Sequence, residues 1–293
     1  IANKYPDWVV ELSSGYHWFI PTKKGAQDQT FNVVMDLVKR YDLDGIHFDD
    51  YFYPYPSYHD GDFPDEADYQ QYLAQGGELS KGDWRRKAVN DLMQRIYSGI
   101  KSEKKQVKFG LSPFGIWRPG YPASIQGFDQ YEGLYADAKL WLNEGWIDYF
   151  TPQLYWPINQ VPQSYPVLLS WWKGENWKKR HLWPGVSIGR FEGEKRVDEV
   201  LNKVMINRAF LDDSPGMVHW SIQPLVEDSA LVEALKMGPY EYPAIVPESP
   251  WLDTRKPKAP IDLGISKDKD DIILNWRGDP SEEIFNYVVY AKY

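Results

Sequence analysis

The stretch DGIHFDDYF, from Asp44 to Phe52, places a histidine and two adjacent carboxylates at the end of a short apolar run. In an extended segment side chains alternate between faces, so Ile46 and Phe48 share one face while His47 and Asp49 share the other. Asp50 then falls at the strand end, where the geometry loosens. A carboxylate that faces a core is costly to bury unless it is paired or used. Asp49 is therefore read as an acid of a site, with a structural ion pair as the alternative. A second polar ladder follows at Thr151, Gln153 and Tyr155, opposite in parity to Phe150, Pro152 and Leu154. An amide and a phenol are good partners for hydroxyl groups. Gly110 and Ser112, then Gly185, Ser187 and Gly189, hold inward positions in two further segments and leave room at the centre. Arg118 and Glu192 sit just past the ends of those segments.

Such groups converge only if several strands run side by side. Five segments read as short buried strands: DGIHFDD from Asp44, VKFGLSPFG from Val107, WIDYFTPQLYW from Trp146, LWPGVSIG from Leu182 and GMVHWSIQP from Gly216. Helical periodicity fills the intervals, from Phe31 to Tyr41, Trp84 to Lys101, Tyr131 to Glu144 and Val197 to Leu211. Strand, long crossover and strand is the pattern of parallel βα units. The loops after the strands are the longer ones and are rich in Trp, Tyr, Pro and Asp, which points to a (β/α)8 barrel of the TIM type with its site on the carboxyl-terminal rim. A doubly wound sheet is disfavoured, because no Gly-rich phosphate loop follows any strand, and no cofactor is implied. Before Phe31 there is room for one strand at most, so the first βα units of the barrel are expected to be missing. A five-stranded arc would leave two open edges, which another chain or segment is expected to cover.

With 42 acidic against 33 basic side chains the 293-residue chain carries a net charge of -9, which repels phosphate backbones and argues against a nucleic-acid partner. No apolar run approaches 18 residues, so no membrane span is expected, and Ile1 is neither an initiator Met nor the head of a signal peptide. There is no Cys. Aromatic residues make up 16% of the chain, with 14 Trp and 21 Tyr. Flat rings suit the apolar faces of pyranoses, so a carbohydrate ligand fits this composition as well as a Trp-filled core does.

DGIHFDDYFYPYP (Asp44 to Pro56), LSPFGIWRPG (Leu111 to Gly120), LYADAKLWLNEGWIDYFTPQLYWP (Leu134 to Pro157) and SIGRFEG (Ser187 to Gly193) resemble the bacterial glycosyl hydrolase-like family 10, or DUF187 family. The resemblance runs from about Pro6 to Val226. It implies hydrolysis of a bacterial cell-wall or related polysaccharide, with peptidoglycan glycan strands as the expected substrate and an exported protein. By the same resemblance Asp49 and Asp50 match the family's acidic pair, Gln153, Tyr155 and Trp156 its sixth-strand motif, and Asp137 a further family acid. Tyr51, Trp117 and Arg118 lie in the matching blocks and, with His47, are expected to bind substrate.

Glycosidic cleavage needs two carboxyl groups facing each other across the bond. Asp49 and Asp50 are neighbours on opposite faces of a strand and face each other poorly. The second carboxylate is expected from Glu192, Asp137, Asp129 or a residue of the missing strands, and Asp137 reads equally as a helix cap. Trp117, Tyr155 and Trp156 should border one cleft with Asp49, with Trp171, Trp172 and Trp177 as weaker candidates. Two other classes compete. His47, Asp49, Asp50, His59 and Asp60 suit a metal site, although no His pair at helical spacing supports one, and metal is expected to be absent. A cleft that stacks sugars without a second acid would belong to a non-catalytic glycan-binding protein. His181 and His219 read as core or rim histidines.

The expected domain is 1–236, followed by a Pro-rich linker at 237–257. At 258–293 alternating apolar and polar residues, a turn at Lys267 to Asp271, Trp276 in a strand and a Tyr-rich strand from Tyr287 to Tyr293 read as the opening of a fibronectin type III-like sandwich.

Overall fold

The computed structural model describes residues 1–211, 215–269, 271–281, 284 and 287–289. They form two units, Ile1–Ser249 and Pro250–Tyr293.

The first unit opens with an antiparallel hairpin, β1 (Val9–Glu11) and β2 (His17–Phe19), where the sequence suggests one strand at most. There follow α1 (Lys24–Arg40), β3 (Gly45–Phe48), α2 (Glu66–Ala74), α3 (Lys81–Glu103), β4 (Lys108–Leu111), α4 (Gln130–Gly133), α5 (Ala138–Glu144) and β5 (Tyr149–Phe150). The unit continues with α6 (Tyr165–Glu175), β6 (His181–Leu182), β7 (Gly185–Ser187), α7 (Gly193–Phe210), β8 (Val218–Trp220), α8 (Gln223–Glu227) and α9 (Ser229–Lys236).

Strands β3 to β6 form a parallel sheet in sequence order, and β7 pairs in parallel with β8. Parallel bridges from Gln153 to Phe114 and to Gly185 join the two parts. All five expected strand segments thus lie in parallel ladders. The segment from Leu182 divides into β6 and β7 because Pro184 has no N–H to give the ladder, and Pro152 interrupts β5 in the same way. The arrangement is an open mixed α/β fold, not a closed barrel. Among the described residues the outer edges of β3 and β8 have no strand partner.

The core lies between sheet and helices. Helix α3 starts at Ser80, whose hydroxyl accepts the Asp83 N–H at 3.2 Å, and buries Val89, Met93, Ile96 and Ile100 as one stripe. Helix α1 packs on it and begins seven residues before the expected Phe31, because its stripe starts at the small Ala26 and runs on through Val34 and Val38. The helix expected from Tyr131 to Glu144 is two helices. Tyr135 takes a positive φ of 51° between them, and Asp137 caps a new start by accepting the Leu140 N–H. Helices α2, α6, α8 and α9 were not among the expected elements. Trp172 of α6 is fully buried and donates its indole N–H to the Gly115 carbonyl at 2.8 Å, whereas Trp177 is exposed.

Register sets the inner face. His47, Gly110, Tyr149 and His181 stand in one row across β3 to β6. A Cβ at position 110 would lie 2.0 Å from the Tyr149 ring, so only glycine lets that ring lie across the row. Phe48, Leu111, Phe150 and Leu182 form the next row and pack into the core.

The first unit extends past residue 236, where a linker was expected. The Tyr240 hydroxyl pairs with His219 at 3.0 Å and the Ser249 hydroxyl with His181 at 3.0 Å. In the second unit β9 (Ile261–Asp268) and β10 (Asp271–Arg277) form an antiparallel hairpin with a register shift between Asn275 and Arg277. Trp276 meets the edge of Tyr287 at 5.3 Å. Residue 270 of the expected turn and residues 290–293 of the expected third strand lie outside the described residues. No helix among the described residues is long and apolar enough to cross a membrane.

Candidate active site

Asp49 and Asp50 follow β3 and diverge. Asp49 is exposed on the face it shares with His47, and its Oδ1 accepts from Gln153 Nε2 at 3.0 Å, Ser112 Oγ at 3.2 Å and the Asp50 N–H at 3.0 Å. Gln153 is itself fixed by a second donation, to the Ser112 carbonyl at 2.9 Å. Among the described residues Asp49 Oδ2 has no such partner, so one oxygen is anchored and the other is presented.

Asp50 turns inward and is 5% exposed, with the Tyr55 hydroxyl donating to its Oδ2. Burial, opposed by the Tyr55 bond and reinforced by the charge of Asp49, pushes its carboxyl up to about 6. Two carboxyls this close resist ionising together, so the pair holds a proton further toward neutrality than a free carboxylate does. The folded-state value lies above the unfolded one, so the protonated form contributes stability at low pH that is lost as pH rises from about 4 through 6. Between pH 5 and 7.5 that loss amounts to about 1 kcal/mol. Urea unfolding should therefore show Asp50→Asn gaining about 1 kcal/mol on the parent protein over that interval. A difference that does not change with pH would place the proton elsewhere.

His47 lies flat against Tyr149, with ring centroids 5.6 Å apart, and joins the Tyr149 hydroxyl through Nδ1 at 2.9 Å and Ser112 Oγ through Nε2 at 2.8 Å. Burial lowers its tendency to protonate, against the pull of Asp49. Tyr155 is half-buried, and burial followed by the charges of Asp49 and Asp50 holds its phenol well above the usual range. Gly185 leaves room for the Tyr155 ring, since a Cβ there would already touch it at 3.5 Å.

Aromatic side chains fall into two groups. One adjoins the acids: Tyr51 meets Trp18 at 6.0 Å and Tyr58 at 6.3 Å, and Tyr55 meets Phe128 at 5.4 Å and Phe114 at 6.4 Å. Trp156 extends this wall through Phe114 at 5.4 Å. Tyr51 is half exposed, and its bond to Tyr58, then burial, push its phenol up to about 12. Trp117 belongs to the other group, with Tyr121, Tyr131 and Trp171. Among the described residues no ring contact links it to the wall beside Asp50.

The remaining candidates lie apart from the Asp49 cluster. The Asp137 carboxylate caps α5 and accepts the Trp117 indole N–H at 3.0 Å, and burial raises its pKa. Asp129 caps α4 and pairs with Arg118 at 3.3 Å, while Arg118 also reaches Glu132 at 3.3 Å. Glu192 is exposed at the start of α7. Among the described residues no hydrogen bond or ion pair ties Asp129, Asp137 or Glu192 to Asp49. Among the described residues no three His, Asp or Glu side chains gather as a ligand set, His59 and Asp60 included.

The residues not singled out from sequence are Tyr149, Tyr55, Tyr58 and Trp18. Tyr149 was legible, since it shares the parity of Thr151, Gln153 and Tyr155. Tyr55 reaches Asp50 from a loop and Trp18 reaches Tyr51 from a hairpin, and periodicity places neither.

The family profile described as glycosyl hydrolase-like 10 matches residues 1–199. The chain is 36% identical over 308 aligned residues to glycosyl hydrolase YngK of Bacillus subtilis, covering 99% of this chain and 59% of that protein. It is 35% identical over 174 residues to glycosyl hydrolase DigH of Escherichia coli K12, covering 58% of this chain and 38% of the relative. The chain therefore spans less than two thirds of the curated relatives it matches. Among solved structures, α-L-fucosidase isoenzyme 2 from Paenibacillus thiaminolyticus overlays 80% of this chain and 34% of its own at a TM-score of 0.44 and 14% identity. On the profile match and the two sequence relatives, the chain belongs to the glycosyl hydrolase-like 10 family.

Proposed function

We propose that this chain carries the acid pair of a glycoside hydrolase that cleaves a bacterial cell-wall polysaccharide, with peptidoglycan glycan strands as substrate. The observation that carries the proposal is the Asp49–Asp50 pair: one carboxylate anchored at a single oxygen and open to the inner face, the other buried and holding its proton up to about 6. Environments that drive two neighbouring carboxyls apart are how acid and base roles are divided. Asp49 Oδ2 then meets the glycosidic oxygen as the acid of the pair, with Asp50 behind it as its buried neighbour. Tyr51, Trp18, Tyr155 and Trp156 stack sugar faces, while Gln153 and His47 hold the polar frame of the site. The group that attacks the anomeric carbon faces Asp49 from the open side of the arc.

The same reading places strands from outside this chain, or from a second chain, on the free edges of β3 and β8, since bare parallel edges invite pairing. It makes residues 258–293 the start of a fibronectin type III-like module and the protein an exported one. The test is reducing-end release from purified peptide-free glycan strands by the protein together with its flanking sequence. Saturable release, abolished by a substitution at Asp49, supports the proposal. Binding of the strands without release would favour the non-catalytic alternative, which the aromatic wall would serve equally well.

A further inference from the structure

Four side chains from three strand segments form one continuous hydrogen-bonded chain on the inner face: Tyr149, His47, Ser112 and Asp49. Its direction follows from the acceptor at its end. Asp49 Oδ1 stands within reach of three donors, the Ser112 hydroxyl, the Gln153 amide N–H and the Asp50 backbone N–H. The last two groups have only hydrogen to offer it. An oxygen so surrounded carries no proton of its own, and any proton on Asp49 rides on Oδ2.

The Ser112 hydroxyl therefore spends its hydrogen on Asp49 and must accept from its other neighbour, His47 Nε2, at 2.8 Å. That nitrogen bears the hydrogen. At the far side the Tyr149 phenol stays protonated, because burial and then the charge of Asp148 push it up to about 12. It donates to His47 Nδ1 at 2.9 Å, which is bare. Every link is satisfied by the neutral ring in one tautomer. An imidazolium would need the phenol to turn and accept from Nδ1–H, and burial of the ring disfavours that charge. The groups facing His47 are Tyr149 from β5, Ser112 after β4 and Asp49 on its own strand. The Tyr149 ring is held in turn between His47 and Trp183, which it meets at 5.3 Å, over the space left by Gly110.

We propose that Tyr149, His47 and Ser112 are positioning residues for Asp49, a directed hydrogen-bond chain in which His47 is locked as the neutral Nε2–H tautomer and Oδ2 of Asp49 is left as its reacting oxygen. The role of Oδ2 rests on the glycoside hydrolase reading. The direction of the chain does not.

Two measurements separate them. Nitrogen chemical shifts of the imidazoles, with His47 assigned by the signal lost in His47→Gln, should show Nε2 protonated and Nδ1 bare at pH 7. Ser112→Ala, which takes away the acceptor that fixes the hydrogen on Nε2, should weaken that preference, whereas Tyr149→Phe should leave it in place. In kinetics on glycan strands, Ser112→Ala should lower kcat about 10-fold with little change in KM, a loss of the order expected for one aligned hydrogen bond to a charged group. Ser112→Thr keeps the hydroxyl and should restore the rate. Nδ1–H as the resident tautomer, an imidazolium at pH 7, or a tautomer indifferent to Ser112→Ala overturns the chain. A Ser112→Ala enzyme with unchanged kcat, or a loss that Ser112→Thr does not restore, overturns the positioning role. Absence of any hydrolysis, with the tautomer as stated, defeats the hydrolase reading alone.

Discussion

Asp49→Asn is expected to lower kcat on glycan strands by roughly 10³-fold while strand binding changes little, as for loss of a proton-transferring group. The asparagine carbonyl can take the place of Oδ1 and accept the same three hydrogen bonds, so shape and local order survive. Its amide then occupies the place of Oδ2, where it can neither hold nor deliver the proton. Asp50→Asn is a useful contrast: the buried side chain keeps the Tyr55 contact but the pair loses its shared proton, which predicts a smaller fall in rate together with the altered pH dependence of stability. Asp137→Asn should be nearly silent in rate, because asparagine caps a helix about as well as aspartate. Initial rates and equilibrium strand binding, measured side by side with a thermal melt for each variant, decide the matter. Near-parental turnover by folded Asp49→Asn protein would remove Asp49 from the acid role and leave Asp50 as the candidate.

Period-two alternation carried much of this site into view before the fold was known. It put His47 and Asp49 on one face and Gln153 and Tyr155 on another inward face, and the structure brings Gln153 and Ser112 onto Asp49. Parallel ladders likewise follow from apolar runs separated by long crossovers. Alternation does not say which loops fold back. Tyr55 reaches Asp50 from five residues downstream, and Trp18 meets Tyr51 from a hairpin whose three-residue strands are too short to show alternation. Arg118 and Trp117 sit next to a strand end in sequence, yet the charges of Asp129, Glu132 and Asp137 draw them to the starts of α4 and α5. Pairwise attraction between loops leaves no periodic trace. The helix break at Tyr135 was hidden for a related reason, since Asp137 reads as one more polar residue until its carboxylate is seen accepting the Leu140 N–H.

The loop that carries Tyr55 is pinned at its far end by a buried ion pair, and breaking that pair should give the largest stability loss in the molecule. Arg85 and Asp65 side chains are 2% and 0% exposed. The Arg85 guanidinium donates through Nε to both Asp65 oxygens, through Nη1 to Asp62 at 2.7 Å and to the Tyr135 hydroxyl at 2.6 Å, and through Nη2 to the Phe63 carbonyl at 3.0 Å. The Tyr53 hydroxyl adds a bond to Asp65 at 3.2 Å. Arg85→Met fills similar volume but leaves the buried Asp65 carboxylate with only the Tyr53 hydroxyl and, at 3.8 Å, Lys81, at an expected cost of about 3 kcal/mol. Lysine offers a single point charge to a site built for a planar fork, so Arg85→Lys should recover only part of the loss. Arg85→Met with Asp65→Leu removes both charges and should regain most of it, because the penalty arises from the orphaned partner and not from the absence of attraction. The segment from Phe52 to Asp65 ends on this pair and holds Tyr55 against Asp50 near its start, so loosening it should also release the Asp50 proton hold. Urea midpoints for the three variants test the first part, and the pH dependence of Arg85→Met unfolding tests the second. An Arg85→Met protein that unfolds at the parental midpoint would show that the pair contributes nothing net, and that the loop is held by its aromatic contacts alone.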